Sequence, residues 1–396
     1  MELETFRALL SPQGQRLLGS LPTYDPGEAL SVATRLRHDH PGELVAAALT
    51  QARLRARARE KFGDLADLLY FTPEGLEQAT RRTVADHRAR RFAASGARRV
   101  ADLGCGIGGD LLAFARVGLG VLGVDRNPLA VEIAAANAAA VGLSDLVAVR
   151  RGDLTRTALT GCDAAFLDPS RRTERGRVFD PDAYSPAWSF VEELPRRVPR
   201  TAVKVAPGIP HERVPEGAEA EWVSDGGHVK EAALWFGDLA TARRRATLLP
   251  EGVTLADERP LGVTGTPPVA PPGRYLYEPD GAVVRAHLVA GVAERVDGWL
   301  VDRTIAYVST DRLVTTPFAV AYEITDVLPF GLKRLRGLLR ERGAGRVIIK
   351  KRGSAVDTER LRRQLRLSGE GAAVVILTRV AGRPTMLLCR PAAPAP

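Results

Sequence analysis

An apolar strand that ends on an acid and runs into a glycine-packed turn is the feature that most constrains this chain. Residues 100–110 read VADLGCGIGGD, and an amphipathic helix begins next at Leu111. Glycine has no Cβ atom, so the backbone can turn tightly there and approach a ligand closely. A strand, a glycine turn and a helix in this order predict the start of a nucleotide-binding βαβ unit.

Two cofactors compete for this turn. Gly104, Gly106 and Gly109 fit the spacing G-x-G-x-x-G of dinucleotide-binding folds. Asp125 follows 21 residues after Gly104, near the position of the ribose-binding acid in those folds. Asp102, however, would place a carboxylate where a pyrophosphate must lie, whereas the same carboxylate attracts a ligand with a cationic amino group. The residues therefore favour S-adenosylmethionine (SAM) over NAD.

Two further acids follow later strands of the same region. Asp153 comes after a third strand, where it could accept a hydrogen bond from an adenine amine. Asp168 ends a fourth strand and is followed by Pro169. Ligands bind at the carboxyl ends of the strands in parallel sheets, so both acids are expected on the ligand face.

These pieces together resemble the class I SAM-dependent methyltransferase fold. The matching segments are 102–110, 123–143, 151–154 and 166–172, in the order in which that family has them. The resemblance implies a cofactor site in which Asp102, Gly104, Gly106 and Gly108 line the methionine and ribose pocket, Asp125 binds the ribose hydroxyls with Arg126 beside it, and Asp153 and Leu154 lie at the adenine.

The chain of 396 residues is long enough for two to three domains. We expect a helical N-terminal region at 1–95, a SAM-binding domain at 96–250, a linker-like segment at 251–272 and a basic α+β domain at 273–396. Alternating strands and helices over the second region predict an α/β fold, a doubly wound and mostly parallel seven-stranded sheet. Its strands are expected at 98–103, 120–125, 146–150, 163–168, 201–206, 229–237 and 244–249, the last two forming an antiparallel hairpin.

Several classes of protein are disfavoured by composition. The three cysteines lack the paired spacing of a disulfide framework or a zinc site, which favours a reducing cytoplasm. The histidines are scattered, so no metal site is expected. The N-terminus is acidic and unlike a signal peptide, and no apolar run approaches the ~18–20 residues that span a bilayer.

Asp168 and Pro169 indicate what is methylated. In amine-methylating enzymes of this fold, an acidic or amide residue and a proline follow the fourth strand. The resemblance implies that the Asp168 carboxylate and the Pro169 carbonyl accept hydrogen bonds from a planar exocyclic NH₂ and orient its nitrogen, so that positioning supplies the rate. Ser170 and Arg171 stand where those enzymes have a second proline and an aromatic that stacks on the base. The guanidinium of Arg171 could stack instead, or bind a phosphate.

Other interpretations of this region stay open. Asp168 and Pro169 could simply end a strand, and Tyr184 or Trp188 could bring an aromatic ring to the base from the following loop. Cysteine attack on a pyrimidine ring is a second chemistry, although neither Cys162 nor Cys389 follows the fourth strand. Lys204 ends the fifth strand and either contacts a substrate phosphate or, as is more common, shields nearby acids.

Positive charge is concentrated near the C-terminus. The formal net charge is +9, and residues 331–366 hold 13 Lys and Arg against 3 Asp and Glu. Such density suits phosphate binding, and the scarcity of aromatics favours recognition of the backbone and shape of folded RNA. The alternative is a solvated face that keeps the protein soluble.

Segments 71–80, 168–172 and 330–353 resemble a bacterial methyltransferase family with a THUMP-like C-terminal domain, here the second half of 273–396. THUMP domains belong to RNA-modifying enzymes, so the resemblance implies tRNA or rRNA as the partner. The residues expected to contact RNA are Arg171, Arg172, Lys333, Arg334, Lys350, Lys351 and Arg352.

Three functions therefore compete. The first is an RNA methyltransferase that modifies an exocyclic amine of a base. The second is a methyltransferase for a protein or a small molecule, and the third is a protein that binds SAM or RNA without turnover.

Overall fold

The computed structural model describes residues 1–21, 24–170, 184–257 and 267–392, together with the backbone of 172–173 and 176–177. The chain divides into two compact units. The first comprises Met1–Ala220 and Glu231–Thr241, and the second comprises Glu221–Lys230 and Ala242–Pro396. The side chains of Arg171 and Arg172, and residues 258–266 of the expected linker, lie outside the described residues.

Helices fill the first part of the first unit. They are α1 (Leu3–Leu10), α2 (Pro12–Ser20), α3 (Ala29–Leu36), α4 (Gly42–Phe62), α5 (Pro73–Gln78) and α6 (Arg82–Ala94). Local sequence fixes where α5 begins, because the Thr72 hydroxyl accepts a hydrogen bond from Gly75 N at 2.9 Å and Pro73 occupies the first turn.

Strands and helices then alternate. The elements are β1 (Arg99–Leu103), α7 (Gly109–Arg116), β2 (Gly120–Asp125), α8 (Pro128–Ala140), β3 (Val147–Arg151), β4 (Ala164–Leu167), β5 (Arg172–Thr173), β6 (Gly176–Arg177), α9 (Trp188–Arg197), β7 (Arg200–Val205), β8 (Glu219–Asp225) and β9 (His228–Trp235). In the first unit the strand order is β3-β2-β1-β4-β7-β9. The first five strands are parallel and β9 is antiparallel to β7. This confirms the doubly wound, mostly parallel sheet.

The predicted hairpin at the end of the sheet is wrong. The neighbours of β9 are β7 and β8, and β9 follows β8 after the turn at Gly226–Gly227. The sequence pattern does not reveal β8, because Glu219 and Glu221 interrupt its apolar residues. Both glutamates are nevertheless fully buried, and Glu221 accepts a hydrogen bond from the Thr247 hydroxyl. Buried carboxylates with polar partners therefore hide a strand that a hydrophobic pattern would have revealed.

The second unit contains a second sheet with helices on one face. Its elements are β10 (Arg244–Leu249), β11 (Val253–Asp257), β12 (Tyr275–Pro279), α10 (Gly281–Arg285), α11 (Val289–Val296), β13 (Trp299–Asp302), β14 (Ile305–Thr310), β15 (Ala319–Pro329), α12 (Leu332–Glu341), β16 (Ala344–Lys351), α13 (Thr358–Leu365), β17 (Gly371–Val380) and β18 (Arg383–Pro391). Seven of these strands form the sheet, in the order β13-β14-β12-β15-β18-β17-β16. Helices α12 and α13 cover one of its faces, where the buried leucines of both helices pack on side chains of β16, β17 and β18.

Strand β10 pairs antiparallel with β11, which lies within the expected linker-like segment. None of the helices that the structure describes combines the length and the apolar composition that crossing a bilayer requires.

Candidate active site

A cleft of about 800 Å³ opens at the carboxyl ends of β1, β2, β4 and β7 in the first unit. Acids outnumber bases on its walls, so the cleft favours a ligand that carries positive charge. Among the described residues, the charged ones that line it are the acids Glu74, Asp102, Asp110, Asp125, Asp153 and Asp168 and the bases Arg126 and Lys204.

The glycine turn forms the floor of this cleft. Gly104, Gly106 and Gly108 have φ angles of 89°, 52° and 90°, which side chains with a Cβ atom rarely adopt. A Cβ atom on Gly104 would lie 2.9 Å from the carbonyl oxygen of Asp168. The missing Cβ atom thus lets the end of β4 approach the glycine turn closely.

Asp102 is the acid with the most unusual surroundings. Its side chain is 1% exposed, and neither carboxylate oxygen has a hydrogen-bond partner among the described residues. Burial, followed by the charges of Asp110 and Asp168, raises the pKa of Asp102 well above its usual value. A buried carboxylate without a partner is costly, which makes Asp102 a strong candidate to hold a cationic group of a ligand.

Asp125 is held in place by the backbone. Its Oδ2 atom accepts a hydrogen bond from Gly106 N at 3.0 Å and its Oδ1 atom from Asn127 N at 2.8 Å. The carboxylate therefore joins the end of β2 to the glycine turn. Arg126 is exposed beside it and also lines the cleft.

Asp153 and Leu154 line the cleft after the end of β3. The Oδ1 atom of Asp153 accepts hydrogen bonds from the Thr155 hydroxyl at 2.7 Å and from Thr155 N at 2.9 Å. These bonds lower the pKa of the exposed Asp153 carboxyl, so it is ionised at neutral pH. Leu154 is half-buried and supplies an apolar wall next to this acceptor.

Asp168 forms an ion pair inside the cleft. The Lys204 Nζ atom lies 2.7 Å from Asp168 Oδ2 and donates a second hydrogen bond to the Thr80 hydroxyl at 3.0 Å. The side chain of Lys204 is 7% exposed, whereas that of Asp168 is 27% exposed. The contact agrees with the interpretation that Lys204 shields an acid.

The loop after Asp168 is clamped to a later segment. Pro169 is buried, and Ser170 and Ser185 exchange two backbone hydrogen bonds, of 2.8 and 3.0 Å. Ser185 and Pro186 line the cleft beside Asp168. The clamp fixes the direction in which the chain leaves β4.

The two aromatic candidates from that loop do not line the cleft, so this expectation is wrong. Tyr184 and Trp188 are both buried and pack against each other with ring centroids 5.9 Å apart. The Tyr184 hydroxyl accepts a hydrogen bond from Ala206 N at 3.0 Å. Both rings therefore belong to the buried core, and neither is available to stack on a base.

Helix α5 supplies a wall that the sequence interpretation missed. Glu74, Gly75 and Gln78 line the cleft together with Thr80. A Cβ atom on Gly75 would lie 2.4 Å from the side chain of Ile107, so α5 packs directly on the glycine turn. The signal in the sequence is segment 71–80, which carries part of the family resemblance but has no obvious chemistry.

Lys61 holds the end of this wall. Its Nζ atom donates to the carbonyl oxygens of Leu76, Glu77 and Ala79 at 2.7, 2.8 and 3.0 Å, next to the C-terminus of α5. Burial, followed by the positive charge of Lys204, lowers the pKa of Lys61 to about 8. Nothing in the spacing of the sequence marks this contact.

Arg88 lies beneath the cleft and was also missed. It is almost fully buried, pairs with Asp110 and Glu231, and its guanidinium lies 4.3 Å from the ring centroid of Phe166. It thus neutralises Asp110 at the start of α7, next to the glycine turn.

The basic residues of the second unit fall into two groups. Lys333 and Arg334 are exposed on α12. Lys350 pairs with Glu278, Lys351 donates to Val356 O at 3.0 Å and Arg352 donates to Ala306 O at 2.7 Å. Three of the seven expected RNA contacts therefore already have partners within the protein, and all three lie at the end of β16 or just after it.

The cysteines are unsuited to nucleophilic attack. Burial raises the pKa of Cys162 and raises that of Cys389 to about 12. Cys105 lines the cleft, but burial and then the charge of Asp102 raise its pKa well above the usual value. Within the described residues, no group of three or more His, Cys, Asp or Glu side chains is arranged to hold a metal ion.

Three families match parts of the chain. Residues 97–175 match the family described as RNA cap guanine-N2 methyltransferase, and residues 319–391 match the family described as THUMP domain-like. Residues 2–58 match a domain of unknown function. The first match contains the glycine turn and Asp168, and the second contains α12 and α13.

Whole-chain relatives agree with these matches. The chain is 37% identical over 354 residues to a protein named as an uncharacterized S-adenosylmethionine-dependent methyltransferase in two strains of Mycobacterium tuberculosis, and the alignment covers 85% of this chain and 95% of the relative. The crystal structure of a protein from Porphyromonas gingivalis W83, described as a candidate methyltransferase, matches with a TM-score of 0.74 at 21% identity. That match covers 94% of this chain and 100% of the other, so the two proteins share a fold.

Proposed function

Since this chain belongs to the SAM-dependent methyltransferase family, with a THUMP-like C-terminal region, we propose that it methylates an exocyclic amine of a base in structured RNA. Family membership makes the protein an enzyme and SAM its cofactor. The proposal concerns the acceptor and the residues that serve it. The observation that carries it is the close approach of Asp168 to the glycine turn at Gly104.

The cleft fits the cofactor because its one buried acid without a hydrogen-bond partner, among the described residues, lies beside the glycine turn. Asp102 binds the cationic amino group, which supplies the partner that its carboxylate lacks. Asp125, held by Gly106 N and Asn127 N, accepts from the ribose hydroxyls. Asp153 accepts from the adenine amine, and Leu154 packs against the ring.

The acceptor amine is held by the segment that ends β4. When bound, SAM supplies an electrophilic methyl group, and the electrons of the broken C–S bond stay on sulfur. The Asp168 carboxylate and the Pro169 carbonyl each accept an N–H of the acceptor amine, which orients the nitrogen lone pair. As the N–C bond forms, the nitrogen releases one proton to solvent. Positioning therefore supplies most of the rate.

Features outside the cleft support RNA as the substrate that carries the acceptor amine. The matches to the RNA cap guanine-N2 methyltransferase family and to the THUMP-like family both point to RNA enzymes. Lys333 and Arg334 are exposed on α12, where they can bind phosphates without losing a side-chain partner among the described residues. A planar base amine also matches two acceptors, one carboxylate and one carbonyl, placed at the end of a single strand.

Incubation with SAM labelled in its methyl group and total RNA from cells that lack the protein tests this function. We expect label in one RNA species, and digestion to nucleosides should place it on a base amine. Asp168→Ala should abolish transfer while leaving SAM affinity within about twofold, because Asp168 serves the acceptor and Asp102 the cofactor. Asp145→Ala, which removes an exposed acid between α8 and β3, is the matched control and should transfer at the normal rate.

Three outcomes would contradict the proposal. Label that appears in protein or in small molecules, with none in RNA, would identify a methyltransferase for a protein or a small molecule. SAM binding in calorimetry without transfer to any fraction would identify a binding protein without turnover. An unchanged rate in Asp168→Ala would remove this residue from the reaction.

A further inference from the structure

We propose that Lys204 is a positioning residue for methyl transfer, which fixes one oxygen of Asp168 so that the other oxygen faces the acceptor amine. The inference rests on the proposed role of Asp168. It goes further because it assigns a role to Lys204 and to Thr80, and it links the segment after α5 to the acceptor side of the cleft.

The Lys204 ammonium is held by two hydrogen bonds. Its Nζ atom donates to Asp168 Oδ2 at 2.7 Å and to the Thr80 hydroxyl at 3.0 Å. Among the described residues, Asp168 Oδ1 has no hydrogen bond, and the side chain is 27% exposed toward the cleft. One carboxylate oxygen is therefore occupied and the other is left for a ligand.

The location of Lys204 explains why this contact is rigid. The residue lies near the end of β7, which pairs in parallel with β4, and the register places Leu167 beside Val203. Lys204 is 6% exposed, so it has little freedom to leave the ion pair. A buried ammonium with two hydrogen-bond partners holds a carboxylate more firmly than a surface lysine does.

Thr80 ties a third element to the pair. It lies between α5 and α6, is 7% exposed, and lines the cleft with Asp168 and Lys204. Lys61, which caps α5, donates to the adjacent carbonyl of Ala79 at 3.0 Å. The orientation of Asp168 therefore depends on the N-terminal helices as well as on the sheet.

An acceptor held by one carboxylate oxygen and one carbonyl must present two donors in one plane. A primary base amine meets this need with its two N–H groups. A secondary amine has only one N–H group and loses one of the contacts. These two acceptors therefore favour transfer to an unmethylated amine over transfer of a second methyl group, and the main product should be the monomethylated base.

Steady-state kinetics on the full chain test the role of Lys204. We expect Lys204→Met to lower kcat by about 100-fold while KM for RNA and Kd for SAM stay within about twofold, because the loss is one of orientation. Lys204→Arg should have a kcat at least about tenfold higher than that of Lys204→Met, since it keeps a donor for Asp168. Lys230→Met, a lysine of β9, is the matched control and should keep the normal kcat.

A double-mutant cycle separates this inference from the proposed function. Asp168→Asn keeps an oxygen acceptor and should retain a measurable rate, but it removes the carboxylate that pairs with Lys204. If Lys204 acts through this carboxylate, Lys204→Met should lower kcat much less in the Asp168→Asn background than in the unmodified protein. A normal kcat in Lys204→Met together with an inactive Asp168→Ala would overturn the inference and leave the proposed function standing. A normal kcat in Asp168→Ala would overturn both, because the acceptor would not depend on this side chain.

Thr80→Val keeps the test decisive if Lys204→Met fails to fold. This variant keeps both charges and removes one hydrogen bond of Lys204, so kcat should fall severalfold with an unchanged KM. A KM that rises with no change in kcat would show that this corner of the cleft binds substrate and does not orient Asp168, which would overturn the inference.

Discussion

The backbone N–H of Ser170 donates to the carbonyl of Ser185 at 2.8 Å, and Ser185 donates back at 3.0 Å. This exchange explains why a second proline does not follow Pro169 in this chain. A proline at position 170 has no N–H group and could not make the first of these bonds. The clamp requires a residue with a backbone donor.

Ser170→Pro should therefore damage the acceptor side of the site selectively. We expect stability to fall by about 1 kcal/mol from the lost hydrogen bond and methyl transfer to fall by about 10-fold or more, because the Asp168 segment shifts. Thermal unfolding and initial rates measure the two effects. Ser170→Ala keeps the backbone donor and serves as the control, and equal losses in both variants would mean that the clamp has no role.

Removal of the Asp102 carboxylate should change how SAM binding depends on pH. The pKa of Asp102 is raised in the free protein, and a bound cationic amino group favours its ionised form. Below that raised pKa, binding must release a proton, so affinity falls as the pH falls. Above it, the carboxylate is already ionised and this dependence ends.

Asp102→Asn should bind SAM more weakly and without this proton release. Calorimetry in buffers of different ionisation enthalpy measures the number of protons released at each pH. The exposed Asp145→Asn variant should behave as the unmodified protein does. The assignment fails if Asp102→Asn and the unmodified protein release the same number of protons on binding.

Lys61 should make the stability of the first unit depend on alkaline pH. Its pKa is about 8 in the folded protein against 10.5 for an ordinary lysine, so the folded state loses its proton first. Between about pH 8 and 10.5 the unfolded chain binds more protons, and stability from this residue rises with pH. Below pH 8 Lys61 is charged in both states, and the desolvation of its charge lowers the free energy of unfolding by an amount that does not change with pH.

The apparent Tm of the unmodified protein minus that of Lys61→Met should therefore become more positive from pH 7.5 to pH 10. Thermal unfolding over this pH range checks the direction, and for Lys230→Met the same Tm difference should not change with pH. A Tm difference that becomes more negative as the pH rises would mean that the charged form of Lys61 is the one that stabilises the α5 wall.

Charge removal on α12 should weaken RNA binding without changing the cofactor site. Lys333→Gln with Arg334→Gln should lower RNA affinity and reduce the slope of log K against log salt by about 1 to 2, as expected for two phosphate contacts. SAM affinity and Tm should stay the same, because both side chains are exposed. Affinity measured between low and moderate salt gives the slope.

The exposed residues Arg303, in a turn, and Arg383, at the start of β18, provide the control for this pair, since Arg303→Gln with Arg383→Gln removes the same charge from the second unit. Lys350→Gln should act differently and lower the Tm, because it leaves Glu278 without its ion-pair partner. An unaltered salt slope in the α12 double variant would exclude this helix as an RNA contact.

The sequence by itself determined the fold of the first unit and most of the residues that line its cleft. Apolar strands that end on Asp102, Asp125 and Asp168, separated by helical segments, leave few ways to fold other than a parallel sheet. Local sequence was sufficient to predict these features, because a glycine turn with positive φ or an acid after a strand depends only on residues within a few positions of it. The strand order at the end of the sheet could not be predicted from the sequence. The glutamates of β8 are polar residues, and burying them is energetically acceptable only when partners distant in sequence form hydrogen bonds with them.

The tertiary structure alone decided which charges meet. Lys204 and Asp168 are 36 residues apart, the partners of Lys61 lie 15 to 18 residues away, and those of Arg88 lie 22 and 143 residues away. Charge density near the C-terminus predicted Lys350 and Arg352 as RNA contacts, but the fold brings Glu278 of β12 to Lys350 and the Ala306 carbonyl of β14 to Arg352. The physical reason is common to all these cases: a motif depends on neighbours in sequence, whereas a hydrogen bond depends on neighbours in space.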